Sequence, residues 1–300
     1  MWAQAISKIM SKILLGKSAI ITGASQGLGL EIAKKFIISG ANITICARNN
    51  DELIRAKKEL ENIAQGSQKI LAFCLDICNK SENKKLFSET IKMFGDCHIL
   101  VNNAGIYGPK GNVETNDWNE WIKTIEINLF GSILMCREVI PHFKDRRYGK
   151  IIQLSGGGAT NPLPGLSAYA VSKAAIIRFT ETLAEELRDF NIDVNSIAPG
   201  ALNTRMLDEI IESGPDKVGN NFYEKSLKQK NEGGTSLAKG SALATFLASN
   251  LSDGITAKLI SAVWDKWEDW PNYIDELSNS DVYTLRRIVG KDRNFNWGDK

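Results

Sequence analysis

The chain has 300 residues, of which 43% are hydrophobic and 24% charged, with a formal net charge of +2. These proportions are typical of globular proteins and exclude a fibrous or disordered chain. Acidic and basic residues are interspersed without a basic stripe, so we expect no nucleic-acid partner.

Cysteines, histidines and apolar runs narrow the class further. The five cysteines lack the paired spacing of zinc ribbons and only two histidines occur, so no bound metal is expected. No run of 18 apolar residues exists, which argues against an integral membrane segment. Lys8 and Lys12 interrupt the apolar core that a signal peptide needs. We therefore expect a cytoplasmic protein with reduced thiols.

Short β-branched runs alternate with longer stretches of helical period, as in parallel strands joined by crossover helices. The predicted strands cover residues 18–22, 42–47, 69–75, 98–102, 150–154, 193–198 and 258–262. The predicted helices cover residues 28–39, 51–65, 81–94, 118–143 and 167–190. This order predicts an α/β fold with one doubly wound, seven-stranded parallel sheet in a single domain, residues 14–263.

Three segments fall outside the predicted sheet and its helices. Residues 1–13 form an amphipathic N-terminal extension. We expect it to pack on the rest of the chain or on a neighbouring subunit, with membrane-surface binding as the alternative. Residues 203–236 are polar and rich in Gly, Lys and Glu, and predict a mobile excursion that serves as a substrate lid. Residues 264–300 form a C-terminal extension too aromatic for solvated disorder.

That extension holds Trp264, Trp267, Trp270 and Trp297, four of the seven tryptophans in the chain. The first three recur every third residue, and Pro271 should end the element that carries them. We expect the extension to complete the substrate pocket or an oligomer interface. Packing within the same chain is the alternative.

A glycine-rich turn, Thr22-Gly23-Ala24-Ser25-Gln26-Gly27-Leu28-Gly29, joins the first predicted strand to the first helix. Glycines there let the backbone approach a pyrophosphate, and the helix start offers unpaired N–H groups. Such turns also arise for purely structural reasons, but this position favours dinucleotide binding.

Residues after the second and third predicted strands are candidates for binding the ribose and the adenine of a dinucleotide. Ala47, Arg48 and Asn49 provide no acid for a ribose 2′-hydroxyl, whereas Arg48 can pair with a 2′-phosphate or simply lie on the surface. Asp76 can accept from an adenine amino group, cap a turn, or do both.

Amides follow the fourth predicted strand and also occur within the fourth predicted helix. Asn102-Asn103-Ala104-Gly105 can bind a cofactor edge or staple neighbouring strands. Asn128 is flanked by apolar residues in a predicted helix, so it needs a partner if buried. Its side chain either supplies hydrogen bonds that a kinked helix lacks or binds a catalytic water.

Tyr169 and Lys173 lie four residues apart on a predicted helix, so their side chains share one face. The lysine charge can then lower the pKa of the phenol toward the working pH, although such pairs also occur by chance. Ser155 ends the fifth strand just before Gly156-Gly157-Gly158. Its hydroxyl can bond a substrate carbonyl or begin a turn.

These motifs, in this order, resemble the compact branch of the short-chain dehydrogenase/reductase family over residues 14–262. The resemblance rests on the glycine-rich turn, Asn-Asn-Ala-Gly, Asn128, the Tyr-x-x-x-Lys pair, and Pro199-Gly200 followed by Thr204. It implies a Rossmann fold, NAD(P)(H), and reversible hydride transfer between a carbonyl and an alcohol on a small molecule. The family commonly forms dimers or tetramers, so a homodimer or homotetramer is expected.

The resemblance also implies residue roles. Tyr169 would be the general acid, Lys173 would tune it and bind the nicotinamide ribose, Asn128 would hold a proton-relay water, and Ser155 would bond the substrate oxygen. The implied cofactor-binding residues are Thr22, Gly23, Ser25, Gln26, Gly27, Leu28, Gly29, Arg48, Asn49, Asp76, Ile77, Asn103, Ala104, Gly105, Tyr169, Lys173, Pro199, Gly200, Leu202 and Thr204.

Two departures from the family pattern stand out. The family's catalytic serine aligns with Gly156, so Ser155 lies one residue early. The last strand ends in Ala262-Val263-Trp264-Asp265-Lys266 instead of the usual Asp-Gly-Gly.

The sequence therefore predicts an oxidoreductase that prefers NADP(H), with an unidentified substrate. One alternative is a catalytically weak dinucleotide-binding regulator or scaffold, which Gly156 motivates. The other is a nucleotide-sugar-modifying relative, whose glycine spacing usually differs.

Overall fold

The computed structural model describes residues 12–297. Its centre is a parallel sheet of seven strands in the order β3-β2-β1-β4-β5-β6-β7. The strands are β1 (Ser18–Thr22), β2 (Asn42–Ala47), β3 (Ile70–Cys74), β4 (Ile99–Asn102), β5 (Gly149–Leu154), β6 (Ile192–Ala198) and β7 (Leu259–Ser261). The strand order reverses between β1 and β4, which is the doubly wound Rossmann arrangement, so the predicted fold is confirmed.

Helices cover both faces of the sheet. They are α1 (Gly27–Ile38), α2 (Asn50–Ile63), α3 (Lys80–Phe94), α4 (Trp118–Ile125), α5 (Gly131–Arg146), α6 (Ser167–Leu187), α7 (Arg205–Ser213), α8 (Pro215–Val218), α9 (Asn220–Glu232), α10 (Leu237–Leu247) and α11 (Ile274–Ser278). Short 3₁₀ turns occupy Arg188–Phe190, Asn250–Ser252, Trp267–Asn272 and Gly290–Arg293. A π-helical turn, Glu126–Phe130, divides the helix predicted over 118–143 into α4 and α5.

Two hydrophobic cores lie on opposite faces of the sheet because neighbouring strand residues point to opposite sides. Ile21 belongs to the core under α1, α2 and α10. Ile20 belongs to the core under α3, α5 and α6. All five residues of β1 are buried, as expected for a parallel strand covered on both faces.

The polar segment 203–236 is not the loose excursion that its composition suggested. It folds into α7, α8 and α9, and Ile210 and Val218 are buried there with Leu166 and Tyr169. A few apolar side chains at helical spacing are enough to dock these helices against the start of α6. The next helix, α10, was not predicted, and it packs against α1.

The C-terminal extension packs on its own chain through three buried side chains, Trp267, Trp270 and Leu277, while most of its other described residues are exposed. Trp267 lies 5.2 Å from the Phe246 ring and Trp270 lies 4.5 Å from the Tyr283 ring, and both tryptophans are buried. Trp264, in contrast, is 85% exposed. Pro271 lies inside the 3₁₀ turn rather than ending it.

The predicted N-terminal extension falls on residues 1–13, of which 1–11 lie outside the described residues. Leu14, the first residue of the predicted domain, is fully buried and its N–H donates to Ser39 O at 2.9 Å. No helix among residues 12–297 is long and apolar enough to cross a membrane.

Candidate functional site

The carboxyl ends of the strands open into one cleft of about 1550 Å³. All the predicted site residues line it except Gly29 and Asn128, which lie just behind its wall. No group of metal-ligating side chains occurs in the described part of the chain. The cleft is therefore the place where the sequence motifs meet.

The glycine-rich turn presents bare backbone to this cleft. Gly23 and Gly27 adopt left-handed φ angles of 63° and 58°. A Cβ on Gly23 would lie 2.7 Å from Ala104 Cα, and one on Gly29 would lie 2.5 Å from Gly23 O. Gln26 offers α1 no side-chain cap. The turn thus leaves the first N–H groups of α1 available to a phosphate.

Asn103 staples this turn to the end of β4. Its amide nitrogen donates to Thr22 O at 3.0 Å and to Gly23 O at 2.9 Å. The backbone N–H groups of Asn103 and Ala104 both donate to Thr22 Oγ1. The stapling interpretation of this amide is what the structure shows, and it fixes the shape of the phosphate turn.

Arg48 is exposed at the end of β2, beside the turn. Within residues 12–297 its guanidinium makes no ion pair at 4.0 Å or less. Asn49 caps α2 by accepting from the N–H groups of Asp51 and Glu52, both at 3.1 Å. Arg48 therefore has a free cationic group where a ribose phosphate would approach.

Glu52 was not identified from the sequence, yet it lines the same end of the cleft. Ser25 Oγ donates to Glu52 Oε2 at 3.4 Å, and Arg205 lies 4.0 Å from Glu52 Oε1. This carboxylate would repel a 2′-phosphate, and it acts against Arg48 in the choice of cofactor.

Asp76 and Ile77 form the adjoining wall. Asp76 Oδ1 accepts from Cys78 N–H at 2.9 Å, so the carboxylate caps a turn. Ile77 is buried behind it, against Gly131. Both of the roles considered for Asp76 are compatible with this position.

Tyr169 and Lys173 project from the first turns of α6, and both are buried. Lys173 Nζ donates to Leu154 O at 2.7 Å and lies 5.7 Å from the centre of the Tyr169 ring. Burial lowers the pKa of Lys173 to about 8. Burial also raises the pKa of the Tyr169 phenol, and the neighbouring Tyr107 adds to that rise.

The lowered pKa expected for this phenol is therefore not what the structure gives. The ammonium of Lys173 is directed at a backbone carbonyl rather than at the hydroxyl of Tyr169. Desolvation raises the pKa of the phenol and keeps it protonated. A protonated phenol is suited to donating a proton.

Asn128 sits in the π-helical turn and is 1% exposed. Its Nδ2 donates to Ile106 O and to Ser172 Oγ, both at 2.9 Å, and its Oδ1 accepts from Ile106 N–H at 2.8 Å. A Cβ on Gly105 would lie 3.2 Å from Asn128 Oδ1 and 3.5 Å from Lys173 Nζ. The amide thus joins the irregular helix to the loop after β4, close to the lysine.

Ser155 and Gly156 follow directly after β5. Ser155 Oγ is buried with no hydrogen-bond partner among the described residues. A Cβ on Gly156 would collide with the hydroxyl oxygen of Tyr169. The phenol therefore occupies the space that a side chain at position 156 would need.

Residues after β6 complete the cleft. Gly200 has a left-handed φ of 90°, and a Cβ there would lie 2.7 Å from Val263 Cγ2. Leu202 pairs with Thr235 in a β-bridge that closes the base of segment 203–236. The Thr204 methyl group lies over Gly27, with 3.6 Å between Thr204 Cγ2 and a Cβ placed on that glycine. Pro199 lines the cleft beside them.

Several cleft residues carried no recognisable motif in the sequence. The Tyr107 ring lies edge-on to Tyr169 at 4.7 Å, and burial together with the charge of Glu209 raises its pKa to about 12. Trp264, Tyr283 and Thr284 of the C-terminal extension also line the cleft. The position of Tyr107 two residues after Gly105 was the one usable signal.

The residues present fit a nicotinamide dinucleotide. The bare glycine turn, the uncapped start of α1 and the free Arg48 lie at one end of the cleft. Tyr169 and Lys173 border the same cleft where β5 and β6 end. This order matches phosphate and nucleoside at one side and a proton donor at the other.

Comparison with known proteins agrees with this geometry. The sequence model of the short chain dehydrogenase family matches residues 17–214. The chain is 35% identical over 201 residues to a dehydrogenase/reductase SDR family member 4 of Caenorhabditis elegans, which covers 67% of this chain and 76% of that protein.

It is 37% identical over 192 residues to 3beta-hydroxysteroid dehydrogenase 1 of Eggerthella lenta, covering 64% of this chain and 72% of that protein. A crystal structure of NAD⁺-bound xylitol dehydrogenase superposes with a TM-score of 0.75 at 22% identity, covering 83% of this chain and 98% of that one. The structural likeness supports the fold alone. Taken with the family match, the chain belongs to the short-chain dehydrogenase/reductase family and is an NAD(P)-dependent oxidoreductase that acts on CH–OH groups.

Proposed function

We propose that the protein interconverts a carbonyl and an alcohol on a small molecule and prefers NADP(H). The observation that carries the proposal is the buried Tyr169 and Lys173 pair, which borders one cleft with the glycine turn and Arg48. The cofactor, when bound, supplies or accepts the hydride, and the protein supplies the proton.

The residues of the chain divide this work. Tyr169, whose raised pKa keeps it protonated, donates the proton to the substrate oxygen. Lys173 holds the ribose next to the nicotinamide, and its backbone bond to Leu154 sets the reach of its ammonium. Asn128 keeps the loop after β4 in register and holds a relay water. Ser155 is the candidate partner for the substrate oxygen, since its hydroxyl has no other partner in the described chain.

The preference for NADP(H) rests on Arg48. Its guanidinium is free and exposed beside the glycine turn, where it can pair bidentately with a 2′-phosphate. Glu52, which accepts a hydrogen bond from Ser25, opposes this preference because its negative charge lies at the same end of the cleft. We propose that Arg48 outweighs it, since Glu52 also faces the charge of Arg205 at 4.0 Å.

Four further assignments belong to the same proposal. Segment 203–236 acts as the substrate lid over the cleft, and residues 264–300 act as an extension of the catalytic domain formed by residues 14–263.

The five cysteines are all unpaired, which fits a cytoplasmic location. Exposed apolar side chains at Trp118, Phe130 and Val171 favour a homodimer or homotetramer.

Steady-state oxidation of NADPH and of NADH tests the proposal directly. The carbonyl panel consists of a 3-ketosteroid, cyclohexanone and 9,10-phenanthrenequinone. We expect turnover with at least one member and a higher kcat/KM with NADPH. Absence of turnover with the whole panel would favour the weak dinucleotide-binding regulator. Equal kcat/KM with the two cofactors would remove the NADP preference.

A further inference from the structure

Residues 280–286 run back along the outer edge of the sheet after α11. Leu259 N–H, on β7, donates to Tyr283 O at 2.8 Å. β7 is the last strand of the sheet, so this bond covers backbone groups that would otherwise form an open edge. The segment is thus docked on the catalytic domain rather than trailing from it.

Two buried charged side chains of the catalytic domain hold this segment. Lys258, which is 4% exposed, donates through Nζ to Ser280 O and to Val282 O, both at 3.1 Å. Glu181, which is 7% exposed on α6, accepts from Leu285 N–H at 2.5 Å. Lys258 therefore holds the first part of the segment, and Glu181 holds its last part.

Arginines complete the anchor at Glu181. Arg178 pairs with the Glu181 carboxylate at 2.5 Å and also donates to Leu285 O at 2.6 Å. Arg286, from the segment itself, lies 3.5 Å from the same carboxylate. A buried carboxylate is costly unless donors surround it. Here the donors of Glu181 come from the segment and from the side chain that grips it.

Two residues of the anchored segment border the cleft. Tyr283 and Thr284 both line it, next to Leu259 and Trp264. Tyr283 has a left-handed φ of 59°, which is unfavourable for a side chain of this size and persists only when surrounding contacts fix it. Its ring packs on Trp270 at 4.5 Å.

The position of the segment in the sheet places it away from the nucleoside end. Arg48 follows directly after β2, and β7 lies five strands further along the sheet. At about 4.8 Å between neighbouring strands, that separation is roughly 24 Å. Tyr283 and Thr284 are therefore on the side of the cleft beyond Tyr169, where a substrate rather than a phosphate is accommodated.

We propose that residues 280–286 form a fixed wall at the substrate end of the cleft, and that Glu181 and Lys258 are positioning residues that hold this wall. The inference rests on the proposed function for what enters the cleft. The anchoring follows from the contacts of the segment. Glu181 stands two helical turns beyond Lys173, so α6 supports both the chemistry and the wall.

Hydrogen–deuterium exchange of the full chain tests the anchoring without a substrate. We expect Glu181→Gln and Lys258→Met to raise exchange of the peptide covering 280–287 at least tenfold, with the NADPH dissociation constant unchanged. Glu185→Gln, one turn further on α6 and exposed, is the matched control. Unchanged exchange in Glu181→Gln would overturn the anchoring, and this variant keeps the test valid if Lys258→Met fails to fold.

Kinetics with the same carbonyl panel test the wall. Thr284→Trp and Glu181→Gln should raise KM at least fivefold while kcat stays within twofold, a split that general destabilisation would not produce. Unchanged KM in both variants would contradict the inference while leaving the proposed function intact. Absence of turnover in the unmodified protein would contradict the proposed function, and the exchange experiment would still decide the anchoring.

Discussion

The Tyr169 hydroxyl occupies the space where a side chain on residue 156 would begin, so Tyr169 and Gly156 depend on each other. Ser155, one residue earlier, has a buried hydroxyl without a partner in the described chain. A serine at 156 and the observed position of the phenol are therefore mutually exclusive here.

This relationship predicts the effect of a single methyl group. Gly156→Ala should displace the Tyr169 hydroxyl and lower kcat about tenfold or more, since small misplacements of a catalytic group are costly. Gly157→Ala is the matched control, because a Cβ there meets nothing within 4 Å. Steady-state kinetics of both variants check the prediction. Equal activity of the two variants would show that the phenol tolerates displacement.

Gly156→Ser tests whether a serine at the family's usual position raises or lowers activity. It restores the family pattern but introduces the same collision with Tyr169. We expect lower activity than in the unmodified protein. A large gain in kcat would instead mean that the phenol moves readily and that the natural protein is catalytically impaired.

Cofactor choice is predicted to depend on Arg48. Arg48→Asp removes a cation and adds repulsion toward a 2′-phosphate, so we expect NADPH affinity to fall at least tenfold and NADH affinity to change little. Titration of intrinsic fluorescence measures both dissociation constants. Arg55→Asp, exposed on α2 and outside the cleft, is the control. Equal affinities for the two cofactors in the unmodified protein would contradict the assignment.

Lys173 predicts a specific pH dependence of stability. Burial lowers its pKa from 10.5 to about 8, so between these values the unfolded chain binds more protons than the folded one. Stability from this group therefore rises with pH across that window and falls as the pH drops toward 8. Lys173→Met removes the titration.

The measurement is the free energy of unfolding in urea at pH 8 and pH 10. The unmodified protein should gain more stability than Lys173→Met between these two values. Lys123→Met, at an exposed position on α4, serves as the control and should follow the unmodified protein. Identical pH dependence in the unmodified protein and in Lys173→Met would show that the lysine does not titrate in this window.

Much of the fold was predictable because its signals are local. The seven strands were predicted to within one residue at each end, since a buried β-branched run such as β1 is stable in few other conformations. The glycine turn was found because its glycines precede a helix. The helices of segment 203–236 were not predicted, because their docking depends on a few buried residues, such as Ile210, within a polar composition.

The long-range parts of the site were not predictable from spacing. The bond between Glu181 and Leu285 joins residues 104 positions apart, and no local pattern indicates it. The protonated state of Tyr169 depends on how deeply α6 is buried, which also lies beyond a sequence motif. Glu52 resembles any exposed helix residue until Ser25 is placed beside it.

The most direct test of the account is the turnover and NADPH dissociation constant of Tyr169→Phe, measured side by side. The substitution removes one hydroxyl and keeps the ring that packs on Tyr107. We predict that kcat falls by roughly two to four orders of magnitude, as for loss of a general acid, while the dissociation constant stays within about twofold. Ordinary turnover in Tyr169→Phe would contradict the assignment of this cleft as the catalytic site.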